Sequence, residues 1–289
     1  MSQDKLLEDI KKFWPKSAPD IKNIPKYVSK YKNNKIVIKC GGNVLIDPVL
    51  FSHFIDDIII LNKLGLSTIV VHGGGPRIKN KLTELNIESK FIRGLRITDK
   101  KIIGIVESVL VEFNKEIVRA LMDKKCKATS VTTKECNVIF VRPEREELGF
   151  VGIPDKIETD ILNKIIARKE VPVLAPMGLS MDSKPYNINA DTAAGAIAKS
   201  LSSRRLLLMT NVEGVYDKNK KLINEITPNQ AYKMIEEETI ISGMIPKINT
   251  CIDAVNNGVK GVVIIDGRKP HSILYEIFSD EGSGTLIRK

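Results

Sequence analysis

Lys39 ends an apolar, β-branched run (KIVIK, residues 35–39) and is followed by Cys40, Gly41, Gly42 and Asn43. Two glycines at a strand end let the backbone approach a ligand and turn N–H groups toward it. The lysine adds a positive charge beside those amides, so the segment suits a phosphate or a carboxylate. A plain strand-to-helix turn would use the same glycines. His72-Gly73-Gly74-Gly75-Pro76 is the sharper pattern. Three glycines after a strand, with proline opening a helix, make a backbone nest at a helix N-terminus, where amide groups and dipole both favour an anion. The spacing is neither the dinucleotide GxGxxG nor the P-loop GxxxxGK[ST]. His72 reads as a residue that holds the turn by hydrogen bonding rather than as a base.

Three further segments carry polar groups at element starts. In Phe91–Asp99 (FIRGLRITD), Arg93 and Arg96 can each fork a carboxylate or stand as solvated loop charges, and Thr98 or Asp99 can cap the next helix. Asn187, Asn189 and Asp191 alternate before an alanine-rich helix. Asp191 reads either as its N-cap or as part of a set of polar groups aimed at a charged substrate. Lys247, after Gly243-Met244-Ile245-Pro246, opposes the dipole at a helix start, which an anionic ligand would explain.

These segments need a frame to hold them. Residues 35–39, 67–72, 171–175, 204–210 and 261–266 read as strands, with helices expected over 48–64, 76–85, 99–125, 160–169, 191–200, 228–238, 246–256 and 272–278. Two strands are expected within 127–141, a hairpin over 148–153, a reversal over 182–186 and a last strand over 284–287. Strands alternating with helices predict an α/β three-layer sandwich around a mainly parallel sheet. Ligands then sit beyond the carboxyl ends of the strands, so the turns after Lys39, Val71, Ala175 and Thr210 should converge. A soft boundary near residue 180 separates an acceptor lobe (35–180) from a nucleotide lobe (181–289), behind an N-terminal segment (1–34).

Composition narrows the classes. The chain has 289 residues, 28% charged and 43% hydrophobic, with a net charge of +10. That is an ordinary globular mix. Ten lysines against four acids in the first 40 residues leave only +4 for the rest, and no nucleic-acid motif is present. Four cysteines and three histidines are scattered without zinc spacing. No apolar run approaches the roughly 20 residues of a membrane span, nor is there a signal peptide, so the chain reads as cytoplasmic. Leu6, Ile10, Phe13 and Trp14 form an apolar stripe in the charged N-terminal segment. It needs cover from its own subunit or from another.

In this order, KCGGN, VVHGGGP, GLRITD, GFVG, NINADTAAGAIA, GMIPK and IIDGRKPH…GSGTLI span residues 35–287 and resemble the amino acid kinase family. The resemblance implies ATP-dependent phosphorylation of the side-chain carboxylate of N-acetyl-L-glutamate, the second step of arginine biosynthesis. It implies Mg²⁺ held chiefly by phosphates. By its motifs, Lys39 and Lys247 would stabilise the transferring group and Asp191 would orient them. Gly41, Gly42, Gly73, Gly74 and Gly75 would line the phosphates and acceptor. Arg96, Asn187 and Asn189 would hold the acceptor. Thr210, Asn211, Gly214, Val215, Tyr216 and Asp217 would border the nucleotide. Arginine-inhibited members carry an N-terminal helix that interlaces dimers into hexamers, so a homo-hexamer, inhibition by arginine near residues 271–285 and a PII-type regulator are expectations. Cys40, Asn211, Arg93 and the segment 130–136, which stands where the family has a GKDG sequence, depart from its pattern and bear on acceptor selectivity. Two other readings keep the fold: a kinase of another acylated or carrier-linked amino acid or of carbamate, and a weakly catalytic arginine sensor.

Overall fold

A computed structural model describes residue 8, residues 10–241 and residues 243–289. In chain order the elements are α1 (Ile24–Tyr31), β1 (Lys35–Cys40), α2 (Pro48–Lys63), β2 (Ser67–His72), α3 (Gly75–Glu84), β3 (Phe91–Ile92), β4 (Leu95–Arg96), α4 (Lys100–Asp123), β5 (Ala128–Val131), β6 (Ile139–Pro143), β7 (Gly152–Ile157), α5 (Thr159–Ala167), β8 (Val171–Leu174), β9 (Met177–Leu179) and β10 (Pro185–Asn187). There follow α6 (Ala190–Ser200), β11 (Arg205–Thr210), β12 (Val215–Tyr216), β13 (Leu222–Ile223), β14 (Glu225–Ile226), α7 (Pro228–Glu236), α8 (Met244–Asn256), β15 (Val262–Asp266), α9 (Ser272–Phe278) and β16 (Gly284–Ile287).

Eight strands form the central sheet in the order β14-β16-β15-β11-β1-β2-β8-β5. The six from β15 to β5 are parallel, and β16 runs against β15. Because side chains alternate across a strand, the pleat sorts the core into two layers. Ile36, Ile38 and Cys40 face the layer containing α2, α9 and the later turns of α4. Val37 faces the layer of α5, α6 and α8. Lys39, two residues on, shares Val37's face, which directs its ammonium toward α6 and α8. The expected sandwich is therefore present, with helices buried against both faces.

Local chemistry sets the helix starts. Asp47 caps α2, Asp99 caps α4, and Thr227 with Gln230 forms a capping box on α7. Two expectations need correction. Residues 148–153 are not a hairpin: 146–148 form a 3-10 turn and β7 begins at Gly152, so the hairpin is the longer β6–β7 unit with this stretch in its connection. The cap of α6 is Asn189, whose Oδ1 accepts from the backbone N–H groups of Asp191 and Thr192. Asp191's carboxylate is thereby left for other work.

Of the apolar stripe at the N-terminus, the described residues pack on their own subunit. Ile10 is buried in the core with α1 and α9, and Phe13 and Trp14 pack against it. Trp14 meets Phe278 edge-on at 5.6 Å. Leu6 lies outside the described residues. Among the described residues no helix is long and apolar enough to cross a membrane.

Candidate active site

The turns after β1, β2 and β8 meet, as parallel-sheet geometry requires. Gly41, Gly42, Gly73, Gly74, Gly75 and Pro176 share the wall of one cavity of about 270 Å³ with Lys39, Arg96, Asn187 and Asn189. A second cavity of about 770 Å³ adjoins it and is lined by Asp191, Lys247, Thr250 and Arg145. Gly94, Leu95, Val151 and Asn189 belong to both walls.

Asp191, on the wall of the second cavity, holds one lysine from each space. Its Oδ1 stands 3.0 Å from Lys39 Nζ, and its Oδ2 accepts from Lys247 Nζ at 2.5 Å. All three side chains are largely buried, 11–16% exposed. Burial pushes the Asp191 carboxyl up, yet the two ammonium groups outweigh it and bring it down to about 2. One carboxylate thus holds two cations at a fixed separation, and the trio keeps a net positive charge for an anionic visitor. Lys39 also donates to the Met209 carbonyl at 3.4 Å. A Cβ on Gly41 would collide with the Lys39 ammonium group, so a side chain there would displace the lysine from its present path. Gly42 has φ +66 and packs on the Asn211 side chain, which brings the end of β11 to the same edge.

Arg96 is built by the β3–β4 hairpin. Arg93 and Gly94 both have positive φ (49 and 81), the signature of a two-residue type I′ turn. That turn pairs Phe91 with Arg96 across the strands. The Arg96 guanidinium lies 4.7 Å from the Phe91 ring centre and donates to Ser89 Oγ and to the Gly75 carbonyl, the latter at 3.2 Å. Only 7% of Arg96 is exposed, and burial lowers its pKa. Arg93, where the family pattern has an acid, serves the turn with its backbone. Ser89 and Phe91 were missed by sequence reasoning. Phe91 had a signal, since an Arg-Gly turn sets it opposite Arg96; Ser89 had none.

The remaining expectations divide. Asn187 reaches the first cavity because β10 is tied to the 150–151 backbone, with its N–H donating to the Phe150 carbonyl at 2.9 Å. Asn189 lines both cavities, but its side-chain oxygen is committed to capping. Of residues 210–217, Asn211 touches Gly42, whereas Val215, Tyr216 and Asp217 belong to the β12–β13 hairpin and border neither cavity. Gly214 packs against Thr285, whose hydroxyl accepts from the Val215 N–H at 2.8 Å, and Asp217 accepts from the N–H groups of Asn219 and Lys221 to close the turn. Within the segment 130–136, Ser130 and Val131 end β5 and the turn that follows lies on α4, where Thr133 donates to Glu107 at 2.6 Å and Lys134 pairs with it at 3.0 Å. It lines neither cavity, so its departure from the family pattern does not alter the walls around Lys39 and Arg96.

A fold with lysines clamped over glycine turns at the C-edge of a parallel sheet defines a class of phosphoryl-transfer enzymes. The sequence model of the amino acid kinase family matches residues 34–266, and the chain belongs to that family. It is 55% identical over 282 residues to the acetylglutamate kinase of Pelagibacter ubique, covering 98% of each chain. It is 44% identical to that of Brucella abortus over 90% of this chain and 93% of the relative. The chain is accordingly an enzyme with acetylglutamate kinase activity, acting in arginine biosynthesis. Among solved structures, N-acetylglutamate synthase from Neisseria gonorrhoeae shares the fold with TM-score 0.84 at 22% identity, over 92% of this chain and 62% of that one. Carbamate kinase from Giardia lamblia shares it with TM-score 0.66 at 15% identity, over 90% of this chain and 99% of that one.

Proposed function

We propose that the side-chain carboxylate of N-acetyl-L-glutamate attacks the γ-phosphorus of ATP in the joined cavities, giving N-acetyl-L-glutamyl 5-phosphate and ADP. The carrying observation is Asp191 bridging Lys39 and Lys247 beside the glycine turns. A carboxylate nucleophile is already ionised at neutral pH, so no general base is needed. The barrier is repulsion between two anions, and catalysis comes from in-line positioning and neutralisation. Lys39 and Lys247 neutralise the transferring phosphoryl group, while Asp191 fixes their spacing. Gly42 and Gly74 offer backbone N–H groups to it, while the Gly73 N–H is spent on the Cys40 carbonyl and Gly41 leaves room for Lys39. Arg96 takes the acceptor's α-carboxylate, with Asn187 and Asn189 beside it and Gly75 at the base. The adenine and ribose would extend beyond the two cavities toward residues 210–217, whose first turn reaches Gly42 through Asn211. Mg²⁺ fits as a metal held by the nucleotide's phosphates, because both Asp191 oxygens already engage ammonium groups; bound there, it would screen the phosphate charge. The division of the sheet supports a lobe boundary near 180: every strand of it on the β1 side precedes that residue, and every strand on the β11 side follows. The product is an acyl phosphate, so neutral hydroxylamine should convert it to a hydroxamate in step with ADP release. ADP without hydroxamate would point to ATP hydrolysis instead.

Regulation by arginine draws support from a third cavity, of about 280 Å³, lined by Lys30, Tyr31, Arg205, Glu276, Asp280 and Gly282. Glu276 offers a half-buried carboxylate to a guanidinium, and Lys30 and Arg205 offer cations to an α-carboxylate. Arginine should inhibit the wild type, and Glu276→Gln should lose that inhibition while keeping its basal turnover; an insensitive wild type removes the proposal. A homo-hexamer, a trimer of dimers, and a PII-type partner rest on the resemblance of the N-terminal region. Sedimentation mass decides the first: a six-chain particle supports it and a two-chain particle refutes it. Four free cysteines, three of them buried, suit a cytoplasmic enzyme.

A further inference from the structure

His72 ends β2 and is fully buried beneath the glycine turn, facing away from the solvent and from every role assigned above. Its two ring nitrogens have different partners. Nδ1 lies 2.8 Å from the Gly73 carbonyl, and Nε2 lies 3.2 Å from Asn114 Nδ2. A carbonyl only accepts, so Nδ1 carries the proton; an amide NH₂ only donates, so Nε2 presents its lone pair. The other hydrogen of Asn114 Nδ2 goes to the Val173 carbonyl at 2.9 Å. The ring is thus assigned as one neutral tautomer, referenced through Asn114 to α4 and β8. Phe113, the neighbour of Asn114, meets the ring edge-on at 5.2 Å. Burial keeps the imidazole neutral, with its pKa pushed down to about 4.

This matters because of the peptide that follows. In a trans peptide the C=O and N–H point in opposite directions. A Gly73 carbonyl drawn inward by His72 therefore turns the Gly74 N–H outward, toward the cavity that Gly73, Gly74 and Gly75 line. Two contacts seat the turn. The Gly73 N–H donates to the Cys40 carbonyl at 2.8 Å, joining it to the end of β1. A Cβ on Gly74 would strike the tip of the Leu110 side chain of α4, so a larger residue there would have to push that leucine aside.

We propose that His72 is a positioning residue for phosphoryl transfer: its Nδ1–H holds the Gly73–Gly74 peptide in the orientation that aims the Gly74 amide at the reacting phosphoryl group. The proposal rests on the role given above to the Gly74 amide. Two substitutions separate the ring's contacts. Asn places a donor near the Nδ1 position, whereas Gln reaches the Nε2 position and leaves the Gly73 carbonyl without its donor. His72→Gln should lower kcat about tenfold, less than outright loss of an oxyanion donor, with KM for N-acetylglutamate within about twofold of wild type. His72→Asn should restore most of kcat. Equal loss in both variants would show a packing role only, and wild-type turnover in His72→Gln would also overturn the proposal. Should His72→Gln fail to fold, nitrogen-15 spectra of labelled histidine in the wild-type enzyme still decide. A buried ring in the Nδ1–H tautomer supports the proposal, and the Nε2–H tautomer refutes it. Lys39→Met separates this from the underlying reading: normal turnover there removes the site itself, whereas its loss beside a normal His72→Gln removes only the positioning role.

Discussion

Lys39→Met and Lys247→Met should each lower kcat by about a hundredfold or more, the scale on which loss of one preorganised electrostatic stabiliser is felt. Methionine keeps an unbranched apolar stem and removes the charge, so packing around β1 and the first turn of α8 changes little. The ammonium groups are held 3.0 and 2.5 Å from the two oxygens of Asp191, so neither needs to reorganise when charge develops between acceptor and phosphate. The loss should appear in kcat more than in KM for ATP, because the interaction strengthens as the phosphoryl group transfers. The double variant should be less impaired than the product of the singles, since both act through one carboxylate. Steady-state kinetics on variants with unchanged circular dichroism measure this, and near-normal turnover in either single variant would contradict the assignment.

Asp191→Asn should lower kcat by about tenfold to a hundredfold and also change the acid stability of the fold. The neutral amide leaves two ammonium groups facing each other with no counter-charge, so their spacing relaxes and the transfer geometry loosens. The folded pKa of about 2 lies below the unfolded value of 3.8. Ionisation of Asp191 therefore stabilises the fold above pH ~4, and that contribution is lost as pH falls through ~2. The difference corresponds to roughly 2 kcal/mol. Urea unfolding between pH 5 and pH 2 should show a weaker loss of stability in Asp191→Asn than in the wild type over that window. His72 adds acid lability in both proteins, because its folded pKa of about 4 lies below the unfolded 6.5 and protonation favours the unfolded chain as pH falls through that interval. Identical acid profiles for wild type and Asp191→Asn would mean that the carboxylate does not pair with the lysines in solution.

Lys39 was legible because a strand end, a lysine and a glycine pair coincide over four residues, and the pleat then dictates which face the ammonium takes. Asp191 took its role from the family resemblance and not from its local pattern, since Asn189 and Asp191 are both competent helix caps two residues apart; the fold shows Asn189 taking the cap. Its partner Lys247 lies 56 residues away, and nothing local announces the pairing. Placing Ser89 on Arg96 needs the hairpin, and seating the turn after β5 on α4 needs the docking of that helix. The apolar stripe at Ile10 and Trp14 required cover, but an amphipathic pattern cannot say whether its own subunit or another provides it. The hairpin over 148–153 was misplaced because Gly149 and Gly152 resemble turn residues whether they make the tip of a short hairpin or sit in the connection of a longer one.

Acceptor-dependent ADP release by the wild-type enzyme is the most direct test, measured with ATP and Mg²⁺ against N-acetylglutamate, glutamate, carbamate and acylated aminoadipate. Turnover with N-acetylglutamate should be at least about a hundredfold above the other acceptors, because in the proposed binding mode Arg96 and Asn187, which line a cavity of about 270 Å³, hold one short acylated dicarboxylate. No ADP release above background with N-acetylglutamate, or faster release with another acceptor, would contradict it.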